Sequence, residues 1–390
     1  MKQTIPTIVV NKNTPRVVET FSTIGNVRPL ATSEVTPRAV RDADILIVRS
    51  ETRVDARLLE GSTVKFVGTV TIGTDHVDTG YLSSKNIRFV SAPGSNANSV
   101  AEYCAAAFLV LAHRTRETLA GKQLGIVGVG HVGSKVAAVG SALGMEVLLN
   151  DPPRARQTGD TVFRPMDELM DADIISLHVP LTTSGPDATF HLFDETRLMK
   201  MKKGSVLMNT SRGPVVDSAC LLASLRSKQL STAILDVWET EPLVESALLE
   251  HVMIGTPHIA GYSLEGKLNA LRMVYEEACR FLGMSPAPEE KIPVNDPVIQ
   301  VPEQSGNAES IAYEVVRQAY DIELDDQKLR GIAFLPPEER KEAFMKLRAD
   351  YPVRREFSQR IVAFSSGQND IRNLFERLGL NVRTRLSVKK

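Results

Sequence analysis

The 390-residue chain reads as an α/β protein: two doubly wound parallel-sheet domains followed by a C-terminal α/β domain. Three observations predict this. Short β-branched runs alternate with segments of helical spacing. One such run leads through a glycine-rich turn into a helix. A proline cluster then separates the last hundred or so residues from the rest. At ~150 residues per domain the length suits two or three domains.

The first hundred residues carry four strand-like runs, Thr7–Val10, Ile45–Val48, Lys65–Gly68 and Ile87–Val90. Helical spacing falls between them, for instance over Asp55–Gly61. An apolar helix is expected over Ser99–Arg116, with Asn98 or Ser99 as its cap and Glu102 in the first turn, where the helix dipole favours negative charge. Six further strands follow at Leu124–Gly128, Glu146–Asn150, Asp173–His178, Ser205–Asn209, Thr232–Asp236 and Val252–Thr256. A helix is expected over Ser263–Phe281. Pro286, Pro288, Pro293, Pro297 and Pro302, five prolines in 17 residues, then suit an extended linker. The expected domains are 1–97 with 264–284, 98–263, and 285–390.

Composition narrows the function. Lys plus Arg is 46 and Asp plus Glu 47, giving a net charge of −1, and aromatic residues are 5%. A nucleic-acid binder draws its affinity from many cation–phosphate contacts and stacks bases on aromatic rings, so that class is disfavoured. Cys104, Cys220 and Cys279 are far apart, which argues against a disulfide framework or a thiolate zinc site, and no pair of histidines has a metal-ligand spacing. No apolar run approaches the ~20 residues of a membrane span. Met1–Val10 lacks the apolar stretch of a secretory signal. The expectation is a soluble protein of the cytoplasm, with neither metal, membrane nor nucleic acid as a partner.

Gly128-Val-Gly130-His131-Val132-Gly133 follows a strand and opens a helix. The first glycine permits the tight turn, the second a close backbone approach to a pyrophosphate, and the third helix–strand packing; the helix N-terminus offers N–H groups to the phosphates. Asp151, 23 residues after Gly128, stands just past the next strand, where a carboxylate accepts from ribose hydroxyls and repels a 2′-phosphate. This is a Rossmann fingerprint with NAD favoured over NADP, a preference softened by Arg154 and Arg156. The other reading of Asp151 is a cap before Pro152-Pro153.

Three chemically capable residues follow later strands. Arg212 lies in Asn209-Thr-Ser-Arg-Gly-Pro214, Glu241 just before Pro242, and His258 in Thr256-Pro-His-Ile-Ala-Gly261. Singly, each has an ordinary reading as a loop charge or a satisfied core histidine. Together they suit hydride removal from a 2-hydroxy acid. A guanidinium clamps the carboxylate, an imidazole takes the hydroxyl proton, and a carboxylate steadies the imidazolium. His191, with His113 and His251, reads as a helix or loop-surface residue.

At these residues the chain resembles the D-isomer-specific 2-hydroxyacid dehydrogenase family. The similarity runs through Gly73–Asp78, Asn98–Glu102, the glycine fingerprint, Ser211–Gly213, Leu235–Glu239 and Pro257–Gly261, over roughly residues 5–280. It implies a Rossmann NAD-binding domain, a flavodoxin-like substrate domain, and Arg212, Glu241 and His258 as catalytic residues. It further implies NAD contacts from Gly128, Gly130, His131, Val132, Gly133, Asp151, Val179, Thr210, Ser211, Arg212, Asp236 and Gly261. Ser50, Thr71 and Tyr262 are implied substrate contacts. Asn150–Arg154, Gly255–Lys267, Tyr320–Asp326 and Arg354–Phe357 resemble the branch that oxidises 4-phospho-D-erythronate, in which a C-terminal extension mediates homodimerisation. Arg49 and Arg53, flanking Ser50 at a strand end, are the first candidates for the phosphate; an arginine lent by a neighbouring subunit, Arg354 or Arg355, is a second. Two other readings remain open at this point: a dehydrogenase for another D-2-hydroxy acid, and an NADH-sensing, corepressor-like binding protein.

Overall fold

The computed structural model describes residues 5–288, 297–301, 307–364 and 369–384. The chain forms two compact units, Met1–Asn96 with Ser263–Pro293, and Ala97–Tyr262 with Val294–Lys390.

The first unit holds β1 (Thr7–Asn11), β2 (Asn26–Leu30), β3 (Ile45–Val48), β4 (Phe66–Thr69) and β5 (Arg88–Val90). All pairings are parallel, in the order β2-β1-β3-β4-β5, the flavodoxin-like arrangement. β3 and β4 are buried throughout, as continuous apolar runs in a covered parallel sheet should be. The sequence reading lacks β2. Its Asn-Val-Arg-Pro-Leu is polar and interrupted by Pro29, which a sheet tolerates because this strand lies at the edge. The helix Leu264–Leu282 closes one face. The Ser263 hydroxyl caps it by accepting from Gly266 N–H at 2.8 Å. Ala270, Leu271, Val274 and Ala278 pack with Ile8, Val10, Ile45, Ile47 and Phe66. A methyl group at Gly68 would lie 2.4 Å from Val274 Cγ1, so the strand needs glycine where the helix crosses it.

The second unit holds β6 (Gln123–Val127), β7 (Glu146–Asn150), β8 (Ile174–Leu177), β9 (Val206–Asn209), β10 (Thr232–Leu235) and β11 (Ile254–Gly255). These six match the predicted runs and form a parallel sheet ordered β11-β10-β9-β8-β6-β7. Phe163 adds a single parallel bridge to Leu149, a vestige of one more strand beyond β7. The strand order reverses between β6 and β8, which marks the crevice where such sheets bind ligands.

The helix over Ala97–Thr115 begins before the expected cap. Asn98 and Ser99 lie inside it, and their side chains donate to Glu356 at 3.3 and 2.9 Å, while Glu102 accepts from Phe357 N–H at 2.7 Å. The first turn is thus tied to chain some 250 residues further on, a partner that local sequence does not reveal. The sequence reading set 285–390 apart, whereas Val294–Lys390 packs in one unit with Ala97–Tyr262. Tyr313, Val316 and Phe357 join the core around Phe108 and Ile126; Leu329, Ala333 and Phe344 join the one around Leu177 and Leu207. The segment adds β12 (Ile299–Gln300), β13 (Ile361–Phe364) and β14 (Asn381–Thr384), a parallel sheet ordered β12-β13-β14. β12 falls within the stretch read as a linker, whose residues 289–296 and 302 lie outside the described residues.

Candidate active site

The glycine turn fits a dinucleotide. Gly128 has φ +86°, and a methyl group there would sit 2.7 Å from His178 O and 2.8 Å from Val179 Cγ1. At Gly133 it would lie 1.9 Å from Gly128 O, so the helix can approach the strand only without a side chain. Gly130 has open space beside it and no side chain to cap the helix His131–Ala142. No side chain caps its first-turn N–H groups, which suits a helix N-terminus that receives a pyrophosphate. His131 is exposed and Val132 half-buried in that first turn.

Asp151 does two jobs. One oxygen accepts from Val129 N–H at 2.8 Å, inside the glycine turn, and the other from Arg154 N–H at 3.0 Å, capping the helix Pro152–Thr158. The Arg154 guanidinium returns to Val129 O. The cap reading of Asp151 and the ribose reading are compatible, since each carboxylate oxygen keeps a second lone pair.

The ends of β9, β10 and β11 meet at one rim. Asn209 builds the first turn: its Oδ1 accepts from Ser211 N–H and Oγ, and its Nδ2 donates to Arg212 O at 2.9 Å. The half-buried Arg212 donates to Ser211 O at 2.8 Å. A methyl group at Gly213 would lie 2.0 Å from Trp238 O, so this turn presses directly on the one carrying Glu241. Thr210 Oγ1 contacts His178 Nδ1 at 3.2 Å. Burial lowers the His178 pKa to about 3, so this imidazole is neutral.

Asp236, 1% exposed, shapes the histidine loop. One oxygen accepts from Thr256 Oγ1 and Ile259 N–H, the other from Ala260 N–H. Burial raises its pKa against the pull of His258 and these donors. His258 N–H donates to Asp236 O at 2.7 Å, and the residue sits at φ +56°, a left-handed conformation costing about 1–2 kcal/mol for a non-glycine residue. The Asp236 contacts on both sides hold it there. Its Nδ1 meets Glu241 Oε2 at 2.8 Å, while Glu241 Oε1 accepts from Trp238 N–H at 2.8 Å. Burial works to raise the Glu241 pKa, but His258, the Trp238 N–H and the Arg348 charge hold it below its usual value. Among the described residues His258 Nε2 has no hydrogen-bond partner, and the side chain is 32% exposed.

Gly261 and Tyr262 follow on the same loop, and the Tyr262 hydroxyl accepts from Arg348 at 3.0 Å. Ser50, Thr71, Arg49 and Arg53 lie in the other unit, after β3 and β4. Ser50 is exposed. Thr71 Oγ1 bonds Thr69 Oγ1 at 2.7 Å and Gly73 O at 3.0 Å, and Thr69 Oγ1 contacts His76 Nε2 at 2.9 Å. Arg49 pairs with Glu51 at 3.3 Å and Arg53, 72% exposed, with Asp55 at 3.4 Å. Arg354 is a correction. It is 5% exposed, donates to Ser99 O and Ala260 O, and its guanidinium lies 4.4 Å over the Tyr320 ring, so its own chain uses it and it is not available to a neighbour. Arg355 is likewise buried.

Two residues escaped the sequence reading. His191 is not a plain surface residue: its Nε2 meets Glu239 Oε1 at 2.5 Å and its N–H donates to Pro214 O at 2.8 Å, so it touches both the Arg212 and the Glu241 turns. Arg348 reaches Tyr262 from 86 residues away. Neither has a motif around it; only Arg348 and Tyr351, three apart and both against Tyr262, hint at a shared face. Among the described residues no cluster of three or more potential ligands could hold a metal, and no helix is long and apolar enough to cross a membrane.

Residues 105–260 match the family model for the D-isomer specific 2-hydroxyacid dehydrogenase NAD binding domain, and residues 295–379 match one described only as a domain of unknown function. The chain is 46% identical over 366 residues to the erythronate-4-phosphate dehydrogenase of Salinibacter ruber, covering 91% of this chain and 93% of that one. It is 41% identical to that of Marinobacter nauticus, covering 96% and 99%. Among solved structures, D-lactate dehydrogenase of Aquifex aeolicus, complexed with NAD and lactic acid, aligns with TM-score 0.59 at 26% identity, covering 71% of this chain and 95% of that one. The glycine turn, the strand-end residues and these similarities agree: the chain belongs to the D-isomer specific 2-hydroxyacid dehydrogenase family, with NAD as its cofactor.

Proposed function

We propose that the chain is an erythronate-4-phosphate dehydrogenase: it oxidises 4-phospho-D-erythronate at C2 to 2-oxo-3-hydroxy-4-phosphobutanoate, a step toward pyridoxal 5′-phosphate. The observation that carries this is the His258–Glu241 pair at 2.8 Å beside the Arg212 turn, in a chain similar over nearly its whole length to proteins of that name.

NAD bound at the glycine turn supplies the hydride acceptor. Gly128, Gly130 and Gly133, with the helix N-terminus at His131 and Val132, hold its pyrophosphate, and Asp151 its adenosine ribose. Val179, Thr210, Ser211, Asp236 and Gly261 line the remaining path. Arg212 clamps the substrate carboxylate and polarises the C2 oxygen. His258 takes the hydroxyl proton on Nε2, and Glu241, ionised at neutral pH, stabilises the imidazolium through Nδ1. Ser50, Thr71 and Tyr262 contact the substrate. The unit built on β1–β5 is the substrate domain.

This reading includes a homodimer formed through Val294–Lys390 and a cytoplasmic location. Phe334 and Val353 of that segment, 84% and 73% exposed, support the dimer, since large exposed apolar side chains favour association. Sedimentation of the full chain measures it, and a monomer at micromolar concentration contradicts it. For the activity, the chain is mixed with NAD and 4-phospho-D-erythronate and NADH absorbance is followed. Steady NADH production is expected; its absence, with turnover of a different 2-hydroxy acid, assigns the chain to another substrate.

A further inference from the structure

We propose that Arg348, on the helix Pro337–Ala349, forms the subsite for the substrate's terminal phosphate, so that the C-terminal segment sets phosphate specificity within the same chain. This rests on the oxidation proposed above.

A phosphate ester carries nearly two charges and needs a cation with matching donors; a guanidinium meets it with two parallel N–H groups. The phosphate of 4-phosphoerythronate stands two carbons beyond the reacting C2, so its cation must lie near the histidine loop. Arg348 is there. It donates to the Tyr262 hydroxyl at 3.0 Å, four residues past His258, and its guanidinium carbon lies 5.7 Å from the Tyr262 ring centre. Its charge also reaches Glu241, where it helps keep the carboxylate ionised. Tyr351 packs edge-on against Tyr262 at 5.8 Å, fixing the ring that Arg348 leans on.

Two other arginines of the same unit are less suited. Arg354 is 5% exposed, with its Nη2 held by two backbone carbonyls and its guanidinium lying over the Tyr320 face. Arg212 is assigned to the C1 carboxylate. Arg348 is therefore the cation that the histidine loop itself presents, and it comes from the segment beyond the matched NAD-binding domain.

The test compares kcat/KM for 4-phosphoerythronate and for erythronate in the full-length wild type, Arg348→Met and Arg348→Lys. Losing one partner of a desolvated charge pair should lower kcat/KM on the phosphorylated substrate about 10²-fold or more. Erythronate should lose far less, so the preference collapses. Lysine, a point charge without the fork, should restore part of it. Equal losses on both substrates would make Arg348 a support for Tyr262 only and overturn the proposal, as would an intact preference in either variant. Calorimetric binding of inorganic phosphate to the NAD-loaded protein gives a readout independent of turnover. Wild type should bind it and Arg348→Met should not, and equal binding overturns the subsite. A wild type that binds phosphate but oxidises neither substrate refutes the proposed reaction rather than the subsite.

Discussion

Two histidine–carboxylate pairs share one turn through Glu239 and Glu241, two residues apart, and they are built differently. His258 meets Glu241 through Nδ1 and keeps Nε2 without a hydrogen-bond partner among the described residues. His191 meets Glu239 through Nε2 at 2.5 Å, and its Nδ1 stands 3.6 Å from Asp217. The second carboxylate oxygen of each pair accepts a backbone N–H, from Trp238 for Glu241 and from Ser218 for Glu239. Exposure does not separate the two, at 32% and 31%. What separates them is what the second ring nitrogen faces: a further carboxylate, Asp217, for His191, and no hydrogen-bond partner among the described residues for His258. A histidine with one nitrogen oriented and the other open can exchange a proton with a ligand; one whose two nitrogens face carboxylates of two different loops is placed to fasten those loops together.

The largest effect expected from this contrast is on turnover. His258→Ala should lower kcat by about 10²–10⁴-fold while the NAD dissociation constant, measured by fluorescence titration, stays within a few-fold. Unaltered turnover would remove His258 from the chemistry. Asp151→Ala comes next. It should weaken NAD binding and narrow the gap to NADP, and it should also cost about 1 kcal/mol of stability through loss of the helix cap. Equal use of both cofactors by the unmodified protein would take Asp151 out of cofactor choice.

His178 makes a smaller, pH-dependent difference. Its pKa is about 3 in the folded state because it is buried, against about 6.5 when unfolded. Between those values the unfolded chain binds a proton that the folded chain does not. Its contribution is therefore complete above about pH 6.5 and falls with acidification by up to about 1.4 kcal/mol per pH unit. Urea midpoints at pH 7, 6 and 5 should drop less in His178→Asn than in wild type; parallel curves would contradict the assignment. The smallest effect on activity is expected at His191. His191→Asn should cost about 1 kcal/mol of stability and leave kcat within about threefold. A loss as deep as that of His258→Ala would erase the distinction drawn between the pairs.

Much of this was legible in the sequence because parallel strands buried on both faces are apolar along their whole length. β1, β3, β4, β6 and β8–β11 announce themselves in this way, β5 and the edge strand β7 by shorter apolar runs, and Arg212, Glu241 and His258 follow strand ends, where sheets of this kind place their ligands. β2 was hidden because an exposed edge strand carrying Pro29 has no apolar pattern. The start of the helix Ala97–Thr115, the placement of Val294–Lys390 and the roles of His191, Glu356, Arg348 and Arg354 were hidden for another reason. Each depends on contacts between residues tens to hundreds of positions apart, which no local spacing encodes. Asp236 shows a third case: its position was legible, but not that its carboxylate is spent on Thr256, Ile259 and Ala260.

The claim at the centre is that His258 and Glu241 act as one acid–base couple in NAD-dependent oxidation. The most direct measurement is kcat/KM for 4-phosphoerythronate against pH, in wild type and in Glu241→Gln. Oxidation requires a neutral imidazole, so activity rises on the acidic limb as His258 loses its proton. Without its carboxylate partner the imidazolium is less stable, and the limb of Glu241→Gln should move to lower pH. A limb at the same pH in both proteins would contradict the coupling of the two residues.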